Sequence, residues 1–80
     1  MTDDFFNQEF KLIAGQLKSY LLRLTASVAD AEDIVHDTYL KASEKLHTFQ
    51  GESSLKTWIF SIASNLAKDN FRVKKRWTEN

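Results

Sequence analysis

The 80-residue chain has no cysteine, no proline and only two glycines. Without cysteine there is neither a disulfide framework nor a thiolate metal site. A domain this short must then be held by apolar packing alone. The missing thiols also fit a reducing cytoplasm. No apolar run approaches the roughly 20 residues of a membrane span, and the start, Met1-Thr2-Asp3-Asp4, is acidic where a secretory leader is basic. Strict apolar–polar alternation is absent, which argues against half-buried strands. What remains is a charge-rich chain with six Phe, two Trp and two Tyr to fill a core. It reads as one domain over residues 1–80, all-α.

The formal net charge is zero, but the charge is unevenly spread. Residues 1–40 carry seven acids against three bases, and residues 41–80 carry eight bases against four acids. Two working surfaces of opposite sign are the natural reading. With a Debye length of about 8 Å at physiological salt, each acts largely alone.

Apolar spacing predicts three helices in a compact bundle joined by short links. In the first, over about 4–24, Phe6, Phe10, Ile13, Leu17, Leu21 and Leu24 form the buried stripe. Gly15 inside it costs roughly 1 kcal/mol relative to Ala, offset if another helix packs closely there. After a short connection over 25–29, Asp30 is the expected N-cap of a second helix reaching about Leu46, with Glu32 and Asp33 at the positive end of its dipole. Ala31, Ile34, Val35, Thr38, Tyr39, Ala42 and Leu46 face inward. A loop over 47–54 leads to a third helix, capped by Ser53 or Ser54 and ending near Lys75. Leu55, Trp58, Ile59, Ile62, Leu66 and Phe71 form its apolar stripe.

The third helix is the most informative element. Ser61, Asn65, Lys68, Arg72 and Arg76 share a face away from the apolar stripe, with Ser64 read as part of the same polar surface. The basic run Arg72-Val73-Lys74-Lys75-Arg76-Trp77 suits the negative end of a helix dipole on its own. Its continuity with Asn65 and the serines favours a polyanion, with Lys and Arg on phosphates and Asn nearer the bases. Trp58, Phe60 and Trp77 are large enough to stack on unpaired bases, although the spacing of Trp58 turns it toward the core.

Other chemistries find little support. Helix two exposes Glu32, Asp33, His36, Asp37, Leu40, Lys41 and Glu44, which alone describes an ordinary solvated face. Asp33 and His36 stand three residues apart, yet the further carboxylates that a di-iron bundle takes from other helices are missing, so no metal site is expected. There is no glycine-rich phosphate cradle and no nucleophile with a neighbouring base, so neither an enzyme nor a cofactor is expected.

The run Asp30-Ala31-Glu32-Asp33-Ile34-Val35-His36-Asp37-Thr38-Tyr39-Leu40-Lys41-Ala42 resembles the second conserved segment of region 2 of extracytoplasmic-function (ECF) sigma factors. The run from Phe49 to Asn65, containing Gln50-Gly51-Glu52-Ser53-Ser54 and Thr57-Trp58-Ile59, is similar to the promoter-melting segment that follows, and Asp69-Asn70-Phe71-Arg72 to its continuation. This resemblance implies a sigma region 2 bundle whose second helix docks on the clamp coiled coil of the RNA polymerase β′ subunit. The contacts it implies are Asp33, His36, Asp37, Leu40 and Lys41.

It further implies that the loop and helix three hold the non-template strand of the promoter −10 element. The loop Phe49–Ser54, with Gln50 and Ser53, and the start of helix three would hold a flipped base. Asn65 would contact promoter bases with Lys56, Thr57, Ser61 and Lys68 near it, and Arg72, Lys75 and Arg76 would hold the backbone. An anti-sigma factor is a further implied partner. The family also carries a −35-reading domain beyond region 2, so the chain is expected to be one domain of a longer protein. Two positions depart from the family pattern: His36 stands where Gln is usual, and Gln50 where Arg or Lys is common. The first suggests a pH-dependent polymerase affinity, the second a weaker phosphate contact. The rival reading is a helical interaction or dimerisation module with no DNA role.

Overall fold

Three α-helices and one 3₁₀ turn account for nearly all of the backbone in the computed structural model, which describes residues 3–78 and the side chains of 4–70. Helix α1 is Asp3–Thr25, α2 is Val28–Lys45, the 3₁₀ turn is Leu46–Thr48 and α3 is Leu55–Thr78. No strand occurs among the described residues. The expected order and number of helices hold, and each helix packs on the other two.

The core collects one row from each helix. Phe6, Phe10, Leu17 and Leu21 come from α1, Ala31, Ile34 and Ala42 from α2, and Ile59, Ala63 and Ala67 from α3. Thr38 is the buried polar residue of this set, and its hydroxyl donates to the Ile34 carbonyl at 2.6 Å, leaving no unsatisfied donor. The alanines lie where helices meet, and their small side chains let the backbones approach. Phe6, Phe10 and Tyr39 form an aromatic trio with ring centroids 5.3–5.9 Å apart, which fixes α1 against α2. Polar ties add to it. The Tyr39 hydroxyl donates to Asn7 Oδ1 at 2.6 Å, and Lys18 Nζ donates to Glu32 Oε1 at 3.0 Å. Against α3, Tyr20 shares a hydrogen bond of 2.7 Å with Ser64 and packs its ring on Phe60.

Several expectations need correction. Leu24 is exposed, because it falls in the last turn of α1, where α1 gives way to the connection. Gly15 is exposed too, and a Cβ built on it meets nothing within 4 Å, so no close helix contact accounts for it. The N-cap of α2 is Ser27, not Asp30. Ser27 Oγ accepts from the Asp30 amide at 3.2 Å, and its carbonyl accepts from the Ala31 amide at 2.9 Å. The connection before α2 thereby shrinks to residues 26–27, reversed by Ala26 at φ 54°. Leu46 closes α2 as its C-cap, as expected, and also opens the 3₁₀ turn, whereas α3 runs three residues beyond Lys75. Phe71 lies outside the described side chains.

Candidate functional site

The outward face of α2 is set by the burial of its opposite side. With Ala31, Ile34, Thr38 and Ala42 in the core, Asp33, His36, Asp37 and Leu40 come to the surface along one stripe. Leu40 is 52% exposed within this charged surround, an apolar group with no core to serve. Lys41 is exposed as well, and like Asp33 and Asp37 it borders a cavity against α3.

The loop before α3 has its own internal order. Gly51 takes φ 74°, a left-handed conformation that strains any residue with a Cβ, and so reverses the chain between Gln50 and Glu52. Phe49 folds back on Trp58 with centroids 5.0 Å apart. Between these rings and the loop lies a cavity of about 130 Å³, bordered also by Thr48, Gln50, Glu52 and Ser53. It is a cleft open to solvent, with the two rings on one side and polar side chains on the other, where a planar group can lie against an aromatic face. Trp58 is therefore half-buried as a wall of the cavity and not a member of the deep core.

Ser54 starts α3: its Oγ accepts from the Thr57 amide at 3.1 Å and its hydroxyl donates to Thr57 Oγ1 at 2.9 Å. Of the two serines expected as caps, this one serves. Ser53 instead donates to the Ser54 carbonyl at 3.2 Å. Ser53 and Trp58 border the loop cavity, whereas Ser54, Leu55 and Lys56 at the start of α3 border a separate cavity of about 230 Å³ against Glu9 and Ile13 of α1. Farther along, Thr57, Ser61, Asn65 and Lys68 are all exposed, as the polar-face expectation requires. Ser61 donates to the Thr57 carbonyl at 3.1 Å, leaving its lone pairs outward. Lys56 Nζ lies 5.8 Å from the centroid of the Phe60 ring, an arrangement that holds the ammonium at the surface.

Two residues leave the expected surface. Ser64 turns to Tyr20 of α1, and Phe60 is half-buried between Tyr20 and Lys56, so neither lies free beside Asn65. The reason is a shared flank: four residues apart, both face α1. The basic run is helical in backbone to Thr78, while the side chains of Arg72, Lys75, Arg76 and Trp77 lie outside the described residues. Sequence reasoning missed the cavity between α2 and α3, about 170 Å³, where Lys41 and Lys45 face Asn65. The signal was available in the four-residue spacing of the two lysines. No group of His, Cys, Asp or Glu that could hold a metal ion occurs among the described residues, and no helix there is long and apolar enough to cross a membrane.

Comparison with known proteins adds an independent line. The family model described as Sigma-70 region 2 matches residues 10–77. The RNA polymerase sigma factor YlaC of Bacillus subtilis is 33% identical over 79 residues, which cover 96% of this chain and 43% of that protein. The ECF RNA polymerase sigma factor SigG of Mycobacterium tuberculosis is 44% identical over 61 residues, covering 76% and 16%. EcfG of Rhodopseudomonas palustris, also an ECF RNA polymerase sigma factor, is 31% identical over 76 residues, covering 95% and 42%. The chain spans less than half the length of these relatives.

Proposed function

The chain belongs to the Sigma-70 region 2 family, in the ECF group, and from that membership we propose that it binds core RNA polymerase and opens promoters at the −10 element. The outward stripe of α2, with Asp33, His36, Asp37 and Leu40, meets the β′ clamp coiled coil. An exposed Leu ringed by charge suits such an interface, with an apolar centre and a polar rim. The loop over 49–54 and α3 take the separated non-template strand. One extruded base enters the cavity between the loop and the paired rings of Phe49 and Trp58, Asn65 contacts a neighbouring base, and Lys56 and Lys68 lie against phosphates. By the family resemblance, Arg72, Lys75 and Arg76 would hold the backbone of the strand.

No covalent step is involved. Unstacking and extruding a base costs a few kcal/mol, offset by stacking of about 1–3 kcal/mol per base and by counterion release from phosphates. Capture of the extruded base is what makes opening favourable. The single observation that carries this reading is the loop cavity walled by the paired rings of Phe49 and Trp58.

The test separates the two surfaces. Asn65→Ala, assembled with core polymerase, is expected to lose strand capture, read with a fluorescent single-stranded −10 oligonucleotide, and to keep core binding. If both fall together, the division of labour is wrong. A domain that only binds proteins would show no salt-dependent strand affinity in the assembled complex.

A further inference from the structure

His36 stands in the middle of the outward stripe of α2, one turn after Asp33, beside Asp37 and one turn before Leu40. All four side chains are exposed, and the imidazole makes no hydrogen bond or ion pair with another described residue. The charges around it are of one sign. Asp33 and Asp37 flank it on α2, and Asp69 of α3 shares with them the border of a cavity of about 380 Å³. Glu32, one turn before His36, is held by Lys18 of α1 at 3.0 Å, so that pair is neutral. Lys41 lies beyond Leu40 and borders a different cavity, with Asn65. With a neutral imidazole the stripe therefore presents the charges of Asp33 and Asp37 around one apolar group.

A stripe of that charge fits a positive partner surface, because opposed charges across an interface decide which surfaces can meet. Histidine is the side chain whose charge changes between about pH 5 and 8. As a cation, His36 would cancel one of the two aspartates and stand against the partner's own positive charge. It would also bring an ion to be stripped of water beside Leu40, the apolar centre of the contact. Both effects oppose docking. Neither touches the fold, since His36 lies outside the buried core.

We propose that His36 makes docking on core polymerase sensitive to pH: the neutral imidazole permits it and the imidazolium weakens it. The inference rests on the function proposed above and adds its regulation. Because the complex holds the imidazole neutral, assembly in mildly acid solution releases a proton from His36. Affinity is then constant above about pH 8 and falls as the pH drops toward about 5.5. A single titrating group limits the slope of log K against pH to at most about one. The expected loss across that window is about ten-fold.

The experiment measures the affinity of this chain for core RNA polymerase from about pH 5.5 to about pH 8 at constant ionic strength. Each variant is compared with the unsubstituted chain in the same buffers, so that titration of the polymerase itself cancels. His36→Gln stays uncharged and is expected to lose the ten-fold dependence while keeping the affinity seen at the alkaline end. His36→Lys is charged throughout, and at the alkaline end it should bind as weakly as the unsubstituted chain does in acid. His47→Gln, at the exposed histidine of the 3₁₀ turn, should keep the full dependence. A His36→Gln profile parallel to that of the unsubstituted chain overturns this inference and leaves the proposed function standing. Undiminished binding by His36→Lys does the same. Helical circular dichroism that falls in acid for the unsubstituted chain but not for His36→Gln would put the switch in the fold, which also overturns it. If the unsubstituted chain binds no core polymerase at any pH, both readings fail together.

Discussion

Helix α1 and the α2–α3 side of the molecule are built to different rules. Where α1 meets its neighbours the contacts are tied by the Phe6–Phe10–Tyr39 trio, the Tyr39–Asn7 and Lys18–Glu32 bonds to α2, and the Tyr20–Ser64 bond to α3, with a cavity of about 230 Å³ left between Glu9 and Ile13 and the start of α3. Along the α2–α3 seam the surface opens into a furrow with exposed lysines and aspartates on its walls. One side spends its aromatic and polar groups on holding helices together; the other leaves them facing out. Stability and recognition are therefore carried by different residues, and substitutions should separate them.

The largest expected effect falls on the α1 side. Leu17 is fully buried at the centre of α1, so Leu17→Ala should lower unfolding free energy by about 2–5 kcal/mol. For a small domain that is a large part of the total. Urea unfolding followed by circular dichroism checks it, and both core binding and strand capture should fall together. Asp37→Arg probes the open side. It reverses an exposed charge on the outward stripe, where a central contact is worth roughly 2 kcal/mol or about thirty-fold in affinity. Core assembly should drop by that order while the urea midpoint stays in place. A shifted midpoint would mean that the furrow walls also hold the fold, and the contrast between the two sides would be lost.

Sequence periodicity was enough to find all three helices, because residues such as Phe10, Leu17, Ile34 and Ile59 repeat at the helical spacing and their burial leaves little choice of face. It failed where local signals compete. Ser27 and Asp30 are both good caps three residues apart, and only the geometry shows Ser27 accepting from the Asp30 amide. Ala63 and Ala67 are buried yet too small to stand out beside Trp58 and Ile62, which pack against the core from its edge. The site divides the same way. Exposure of Asp33, His36, Asn65 and Lys68 follows from helix geometry alone. The loop cavity does not, since it depends on Gly51 turning the chain so that Phe49 meets Trp58, a contact between segments nine residues apart. The orientation of Lys41 toward α3 depends on how α2 is rotated against its neighbours, which one helix's own pattern does not fix.

A smaller effect of opposite sign tests the outer surface of α1. Gly15 lies within the helix, is exposed, and has open space where a Cβ would stand. Gly15→Ala should raise stability by about 0.5–1 kcal/mol, through backbone entropy removed from the unfolded chain. Core and strand affinities should not change. A functional loss in this variant would place a partner on α1 and end its description as scaffold.

The smallest effect belongs to the exposed ion pair of Lys18 with Glu32. It joins α1 to α2 at 3.0 Å, but its side chains remain 45% and 58% exposed. Water and salt screen such a pair, and ordering two long side chains offsets part of the attraction. Lys18→Gln should therefore cost no more than about 0.5 kcal/mol, a loss that disappears at high salt. A double-mutant cycle with Glu32→Gln isolates the pair from other effects of either residue. Coupling well above about 1 kcal/mol would mean that the pair sets the register of α1 against α2. The aromatic trio around Tyr39 would then not be sufficient to fix that contact, and the α1 side would owe its order to charge as much as to packing.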